Sequence, residues 1–575
     1  MYRQVLDPVA GSLALTSLFA ALPLITLFVL LGVVRMKAWT ASLVALAVAV
    51  GVAVIVYPMP LGQAFLAGTE GAAFGFFPIL WIVINAIWIY NMTVVTGHFD
   101  VLRRSMARVS DDLRIQGVII AFCFGALLEA LAGFGTPVAI TSVMLLALGF
   151  RPLKAATVAL VANTAPVAFG ALGVPITTLA TVTGLSEGDL GAMAGRQTPL
   201  LAVFVPMALV FLIDGKRGVR QTLPATLVCG VSFGLAQFVT SNFISIPLTD
   251  IVASLVSIAA VLLFLRVWRP AERYVEHAAV ADLREPAESR DTVTAGRTGG
   301  GVATGGGDHA TDLGAGDADT YAARDAGKDD TAGDVGRAYA PYLIIIAVFV
   351  LAQIPAVKAA LGGVTQLFQW PGLHIQNAAG VDSALPTFKL NWLDNGGSLL
   401  VIAGLLTIPV LGISAGKAFR AYLATYRQLA TAIATVMTVL ALAYVMNASG
   451  QTGTLGAWMA GAGGAFALLS PILGWLGVAV TGSDTSSNSL FGALQVAAAH
   501  KAGLSDVLMA ASNSSGGVLG KMISPQNLAI AAGAVGIAGR EGDLFRRVFA
   551  WSAGFLVLMC ILVYLQATVL AWMVP

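Results

Sequence analysis

Four stretches of this sequence decide how it folds. They read LLEALAGFGTPVAIT from Leu127 to Thr141, ANTAPVAFGALGVPI from Ala162 to Ile176, TGSDTSSNSLFGALQ from Thr481 to Gln495, and SNSSGGVLGKMISPQN from Ser512 to Asn527. Each is apolar enough to enter a membrane, yet Gly, Pro and clustered Ser, Thr and Asn interrupt it. Gly and Pro oppose helix continuation. Lipid offers no hydrogen bonds, so irregular backbone at membrane depth survives only where protein or a cavity covers it. The stretches also match in pairs. Asn163 precedes Gly170 and Pro175 by the same offsets at which Asn513 precedes Gly520 and Pro525. Gly133 and Thr136 correspond to Gly482 and Thr485 with one residue of slippage. One interrupted pattern, once per half of the chain, is the mark of an internal repeat in a transporter.

The rest of the chain sets the surroundings. Of 575 residues, 57% are hydrophobic and 11% charged, against about 25% charged in a soluble domain. So few charges cannot cover a globular surface, and lipid must be the solvent for much of the molecule. Apolar runs of spanning length predict an all-α polytopic membrane protein of twelve to fourteen transmembrane helices. It would be organised as two inverted repeats, each with a broken or re-entrant segment. The first run, Leu13 to Val34, lacks the basic flank and cleavage site of a signal peptide and reads as a retained helix. Cys123, Cys229 and Cys560 sit in apolar runs without paired spacing, so neither a metal site nor a disulfide framework is expected.

Charge divides the chain into three parts. Residues 271–338 hold 14 of the 30 acidic but 7 of the 32 basic residues, among Gly-rich stretches such as GGGVATGGGDH. This composition predicts an acidic disordered cytoplasmic linker between membrane halves at 1–270 and 339–575. The halves are basic at their edges, at Arg35 and Lys37, Arg103 to Arg114, Lys216 to Arg220, Arg266 to Arg273, Lys417 to Arg427 and Arg540 to Arg547. Cytoplasmic loops carry such residues, which places both termini outside. Opposite entry of the two broken segments would follow. Basic edges on so apolar a chain fit a membrane surface and give no sign of nucleic-acid binding.

Breaking a helix frees N–H groups at the new N-terminus, and these with the helix dipole favour an anion. Thr136, Asn163, Thr164, Thr485, Ser486, Ser487, Asn488, Asn513, Ser514 and Ser515 stand beside the breaks as neutral donors for a carboxylate. Bonding to their own helix carbonyls is the competing role. Glu129, Asp484 and Lys521 are ionisable residues within the broken segments, where a charge costs about 3 kcal/mol on insertion scales. Lys521 is a candidate ligand for a substrate carboxylate, or a partner for either acid. Glu129 and Asp484 are candidate proton carriers. Arg196, in GRQTP, is a further anion partner; Glu70 reads as interfacial, and His98 as a solvated loop residue.

LEALAGFGTPVAIT, VANTAPVAFGALGVPI, GRQTP, GWLGVAVTGSDTSSNSLFGALQ and GKMISPQN together resemble the signature stretches of the bacterial L-lactate permease family. The resemblance runs from DPVAGS at Asp7 to LAWMVP at Pro575; the long acidic segment is its departure. It implies secondary active transport of L-lactate and related 2-hydroxy monocarboxylates, glycolate and D-lactate, by proton symport across the bacterial inner membrane. It also implies paired re-entrant hairpins. No cofactor is expected. A homodimer would give such a carrier a fixed scaffold, though no residue specifies one. Two rivals are a membrane-embedded enzyme and a carboxylate channel. The sequence offers the enzyme neither a GxSxG elbow nor metal-ligand spacing. The acids would repel a channel's anion unless they are paired.

Overall fold

The computed structural model describes residues 2–34, 36–107, 110–133, 135–274, 330–352, 354–378, 380–383 and 385–575. Most of the segment read as an acidic linker lies outside the described residues. Among them, ten helices are long and apolar enough to cross a membrane. An eleventh is added if Pro152–Ala162 and Val167–Thr183, bent by 64°, count as one span. The sequence count of twelve to fourteen is higher for a physical reason. Runs around the breaks fold into short helices, such as Thr136–Ala147, Asp506–Gly520 and Pro525–Ala534. Gly396–Val410 is likewise apolar but short.

Helices that are apolar all round need cover on every side. The segment Leu113–Leu131 lies at the centre, 94% buried along its apolar window, whereas Leu13–Leu31 is 33% buried and Ala38–Ile55 the same. Leu18, Ile55, Phe243, Val267 and Ile561 point outward and exposed. Such a surface suits lipid.

The two broken segments share one order of elements. In the first, Gly125–Ala132 stops at Gly133, and Thr136–Ala147 restarts after Gly135, which takes φ +86°. Pro152–Ala162 and Gly170–Thr183 follow, separated by a short turn of 3-10 helix. In the second, Phe466–Thr481 ends at Gly482 with φ +75°, and Asp484–Ala502 restarts behind the cap Ser483. Asp506–Gly520 and Pro525–Ala534 follow, again with a 3-10 turn between them.

The two ends of the molecule are built differently. At one end Tyr2–Arg3 pairs in parallel with Ile375–Gln376, and Gln366–Gln369 pairs antiparallel with Thr387–Leu390. The Tyr2 hydroxyl bonds the carbonyls of Tyr57 and Ser449. At the other, basic clusters far apart in sequence converge. Arg114, 1% exposed, pairs with Asp112 and Asp214 at 2.7 and 2.9 Å. Lys154 donates to the Ile213 carbonyl, and Arg104 pairs with Asp330 at 2.6 Å. Hydrogen bonds from Arg217 and Gln221 hold the exposed Glu272 carboxyl below its usual range.

Small residues let the helices of the second segment touch backbone to backbone, as membrane helices do. A Cβ on Gly474 would lie 1.9 Å from the Asn513 carbonyl oxygen, and one on Gly516 would lie 2.2 Å from that of Pro471. Gly474→Val should therefore force Phe466–Thr481 off Asp506–Gly520, at about 1–3 kcal/mol or more. Detergent thermal melts check this. Gly474→Val should melt lower by several degrees, while Gly461→Ala, which meets nothing within 4 Å, should not.

Candidate carboxylate and proton site

The broken segments meet at charge. Lys521 follows the last turn of Asp506–Gly520, and its Nζ lies 2.6 Å from Glu129 Oε1 on Gly125–Ala132. Both side chains are less than 8% exposed. Asn163 Nδ2 donates to Glu129 Oε2 at 2.8 Å. Two glycines make room for this carboxylate: a Cβ on Gly170 would lie 2.8 Å from Glu129 Oε1, and one on Gly133 3.2 Å. The glycines of the sequence repeat thus press on the acid they flank.

Asp484 is the first residue of the helix Asp484–Ala502, behind the cap Ser483. Its Oδ2 accepts from the Ser514 hydroxyl at 2.5 Å and from Asn488 Nδ2 at 3.4 Å. Its Oδ1 has no hydrogen-bond partner. Lys521 stands within electrostatic reach of Asp484, so one cation serves two acids. The expectation that a substrate carboxylate faces this N-terminus therefore changes: in the second segment Asp484 already occupies that position. The matching break at Gly135 lies against Ile530 and Asn527.

An amide network extends from the acids. Asn513 Nδ2 donates to Asn488 Oδ1 at 2.9 Å, and Gln495 Nε2 donates to Asn513 Oδ1 at 3.0 Å. Asn488 also donates to the Pro175 carbonyl at 3.0 Å, across to the first segment. Ser487 bonds the Gly474 carbonyl, a neighbour's backbone. Thr485 and Ser486 are buried in the first turn of the same helix, and Thr136 is half-buried at its own helix start. The buried oxygens Asn163 Oδ1, Thr164 Oγ1 and Ser515 Oγ lack partners. Asn163 Oδ1 is an open acceptor on a residue of the pair's network, and the Thr164 and Ser515 hydroxyls can each donate or accept.

Three sequence readings change. Glu70 is not interfacial but fully buried, both its oxygens without hydrogen-bond partners; it lies where Gly71 packs on Leu440 and Tyr444. Arg196 is engaged by Asn242 Oδ1 and by the Met573 carbonyl, which it ties down at 2.7 Å. His98 begins the helix His98–Ala107 and bonds Thr96 Oγ1. Gln495, Asn527 and Asp250 were not singled out from sequence. Gln495 and Asn527 stand at helical spacing from the flagged Asn488 and beside the flagged Lys521, which is a usable signal. Asp250 sits in an ordinary apolar run. Among the described residues no cluster of three His, Cys, Asp or Glu could hold a metal ion.

Removing one member of a buried pair leaves an unpaired charge and costs about 3–5 kcal/mol. Glu129→Gln and Lys521→Gln should each lower the detergent melting temperature, and the double variant should recover most of the loss. Additive losses would contradict the pairing.

The chain matches the L-lactate permease family over residues 16–570. It is 40% identical over 594 residues to an L-lactate permease of Bacillus subtilis, covering all of both chains. An L-lactate permease of Escherichia coli is 40% identical over 587 residues, again covering all of both. The Escherichia coli glycolate permease is 42% identical over 576 residues, covering 98% of each. With its helices, its broken segments and these matches, the chain belongs to the L-lactate permease family.

Proposed function

We propose that this protein carries L-lactate, and with it glycolate and D-lactate, into the bacterial cell across the inner membrane by proton symport. The observation that carries the reading is the buried Lys521–Glu129 pair joining the two broken segments. The relatives, named as lactate and glycolate permeases, supply the substrate class.

Neutrality then dictates the coupling. Without substrate, the ammonium of Lys521 and the carboxylate of Glu129 cancel. A lactate carboxylate arriving at Lys521 displaces Glu129 and would leave the site with a net negative charge. An uncompensated charge in a low-dielectric interior is expensive. A proton on Glu129 restores zero net charge, so one proton accompanies one carboxylate. Both the empty and the loaded carrier are then neutral at this pair, and both can rearrange. Asn163, already bonded to Glu129, and the open hydroxyls of Thr164 and Ser515 serve the substrate's carboxylate and 2-hydroxyl. Asp484 orients Ser514 and Asn488 and is a second proton acceptor in the field of Lys521. Movement of the repeat-based unit bearing one broken segment against the rest would give alternating access.

Radiolabelled L-lactate uptake into proteoliposomes tests the reading. Accumulation above the external concentration is expected under an inward proton gradient, and an uncoupler should abolish it. Uptake that only equilibrates would indicate a channel or uniporter. Lys521→Ala should weaken lactate binding by about tenfold or more, the scale of one charge-assisted hydrogen bond. Asp484→Asn should impair uphill accumulation, and full uphill uptake by that variant would remove Asp484 from the proton path.

A further inference from the structure

Asp250, in the first turn of Thr249–Val267, is fully buried and takes no part in the mechanism above. Its Oδ1 accepts from Gln237 Nε2 at 2.9 Å, and its Oδ2 has no hydrogen-bond partner. The neighbours facing it are sparse in charge. Glu129, on Gly125–Ala132, lies within its electrostatic reach. Cys123 and Cys229 face the same helix two turns further along, at Ser257. Gly170–Thr183 brings no ionisable residue. A lone carboxylate so placed would be an unpaired buried charge beside another acid.

Polar groups lead from this acid toward the end of the molecule that holds the C-terminus. Gln237 Nε2 also reaches the Ala165 carbonyl at 3.3 Å, and Thr198 Oγ1 reaches Gln237 Oε1 at 3.4 Å. The adjacent Gln197 donates to Gln566 at 2.9 Å, and the next residue, Arg196, bonds the Met573 carbonyl.

From this juxtaposition we infer that Asp250 is a proton-binding carboxyl that exchanges its proton with Glu129, with Gln237 holding its Oδ1, Thr198 holding Gln237, and Oδ2 left to carry the proton. The O–H bond on Asp250 breaks as one forms on Glu129, and a proton from outside replaces it. One proton moves and no electrons do. When Lys521 pairs with Glu129, Asp250 holds the proton. When substrate draws Lys521 away, Glu129 takes it. The inference rests on the symport reading and extends it with a further acid.

The test is lactate-driven proton uptake in proteoliposomes, read with an internal pH dye, beside exchange of preloaded against external lactate. Asp250→Asn should lose proton uptake by about tenfold or more while still exchanging lactate. Asp250→Glu should restore proton uptake. Thr198→Val should slow it severalfold, and that variant decides the matter if Asp250→Asn fails to fold. A parent protein that moves no protons with lactate would end the symport reading itself. A coupled parent with equally coupled Asp250→Asn or Thr198→Val would overturn the role of Asp250, leaving symport standing.

Discussion

A charge at the centre of a bilayer costs about 3 kcal/mol on insertion scales, and this protein buries three ionisable side chains, Glu129, Asp484 and Lys521, within its broken segments. Lys521 makes that arrangement tenable. Its Nζ stands 2.6 Å from Glu129 and within the field of Asp484, so each acid of the broken segments depends on the same ammonium. The rest of the site is arranged around that dependence. Glycines at 133 and 170 clear space for the Glu129 carboxyl, Gly517 lies against Asp484, and amides from Asn163 and Asn488 bond the acids' oxygens. In the proposed scheme this pair, which joins the two broken segments, would also be a latch that a competitor for Lys521 loosens.

That latch links architecture to transport without a moving part being specified in advance. The breaks bring unpaired groups to the middle of the protein, and the small residues of Phe466–Thr481 and Asp506–Gly520 hold them there through close backbone contact. A monocarboxylate offers the same chemistry as Glu129 does, an anion for Lys521. In the proposed scheme, competition between two carboxylates for one ammonium would convert substrate binding into proton binding, since the loser must be neutralised. No metal or cofactor is called upon in this scheme.

Much of the site was legible in the sequence because its residues stand where helices break. Glu129, Asn163, Asp484, Asn488, Asn513, Ser514 and Lys521 all lie in interrupted motifs, and the structure draws them together. Which acid Lys521 chooses was not legible, since that contact spans 392 residues. Glu70 was misread and Asp250 passed over for a different reason. Each lies in an otherwise regular apolar helix, where a lone carboxylate looks like an end residue, and only tertiary packing removes it from water. The range of twelve to fourteen spans read from sequence and the ten or eleven candidate spans among the described residues differ because hydrophobicity measures how long an apolar run is and not whether it bends. The motifs at the breaks also carry the family resemblance, and the full-length relatives bear it out.

The most direct test of the central exchange is the proton balance of lactate binding. Calorimetric titration of the detergent-purified protein, repeated in buffers of different ionisation enthalpy, reads protons taken up per lactate bound. If lactate displaces Glu129 from Lys521, the parent takes up close to one proton per lactate and Glu129→Gln takes up none. Binding without proton uptake by the parent, or unchanged uptake by Glu129→Gln, would contradict the account.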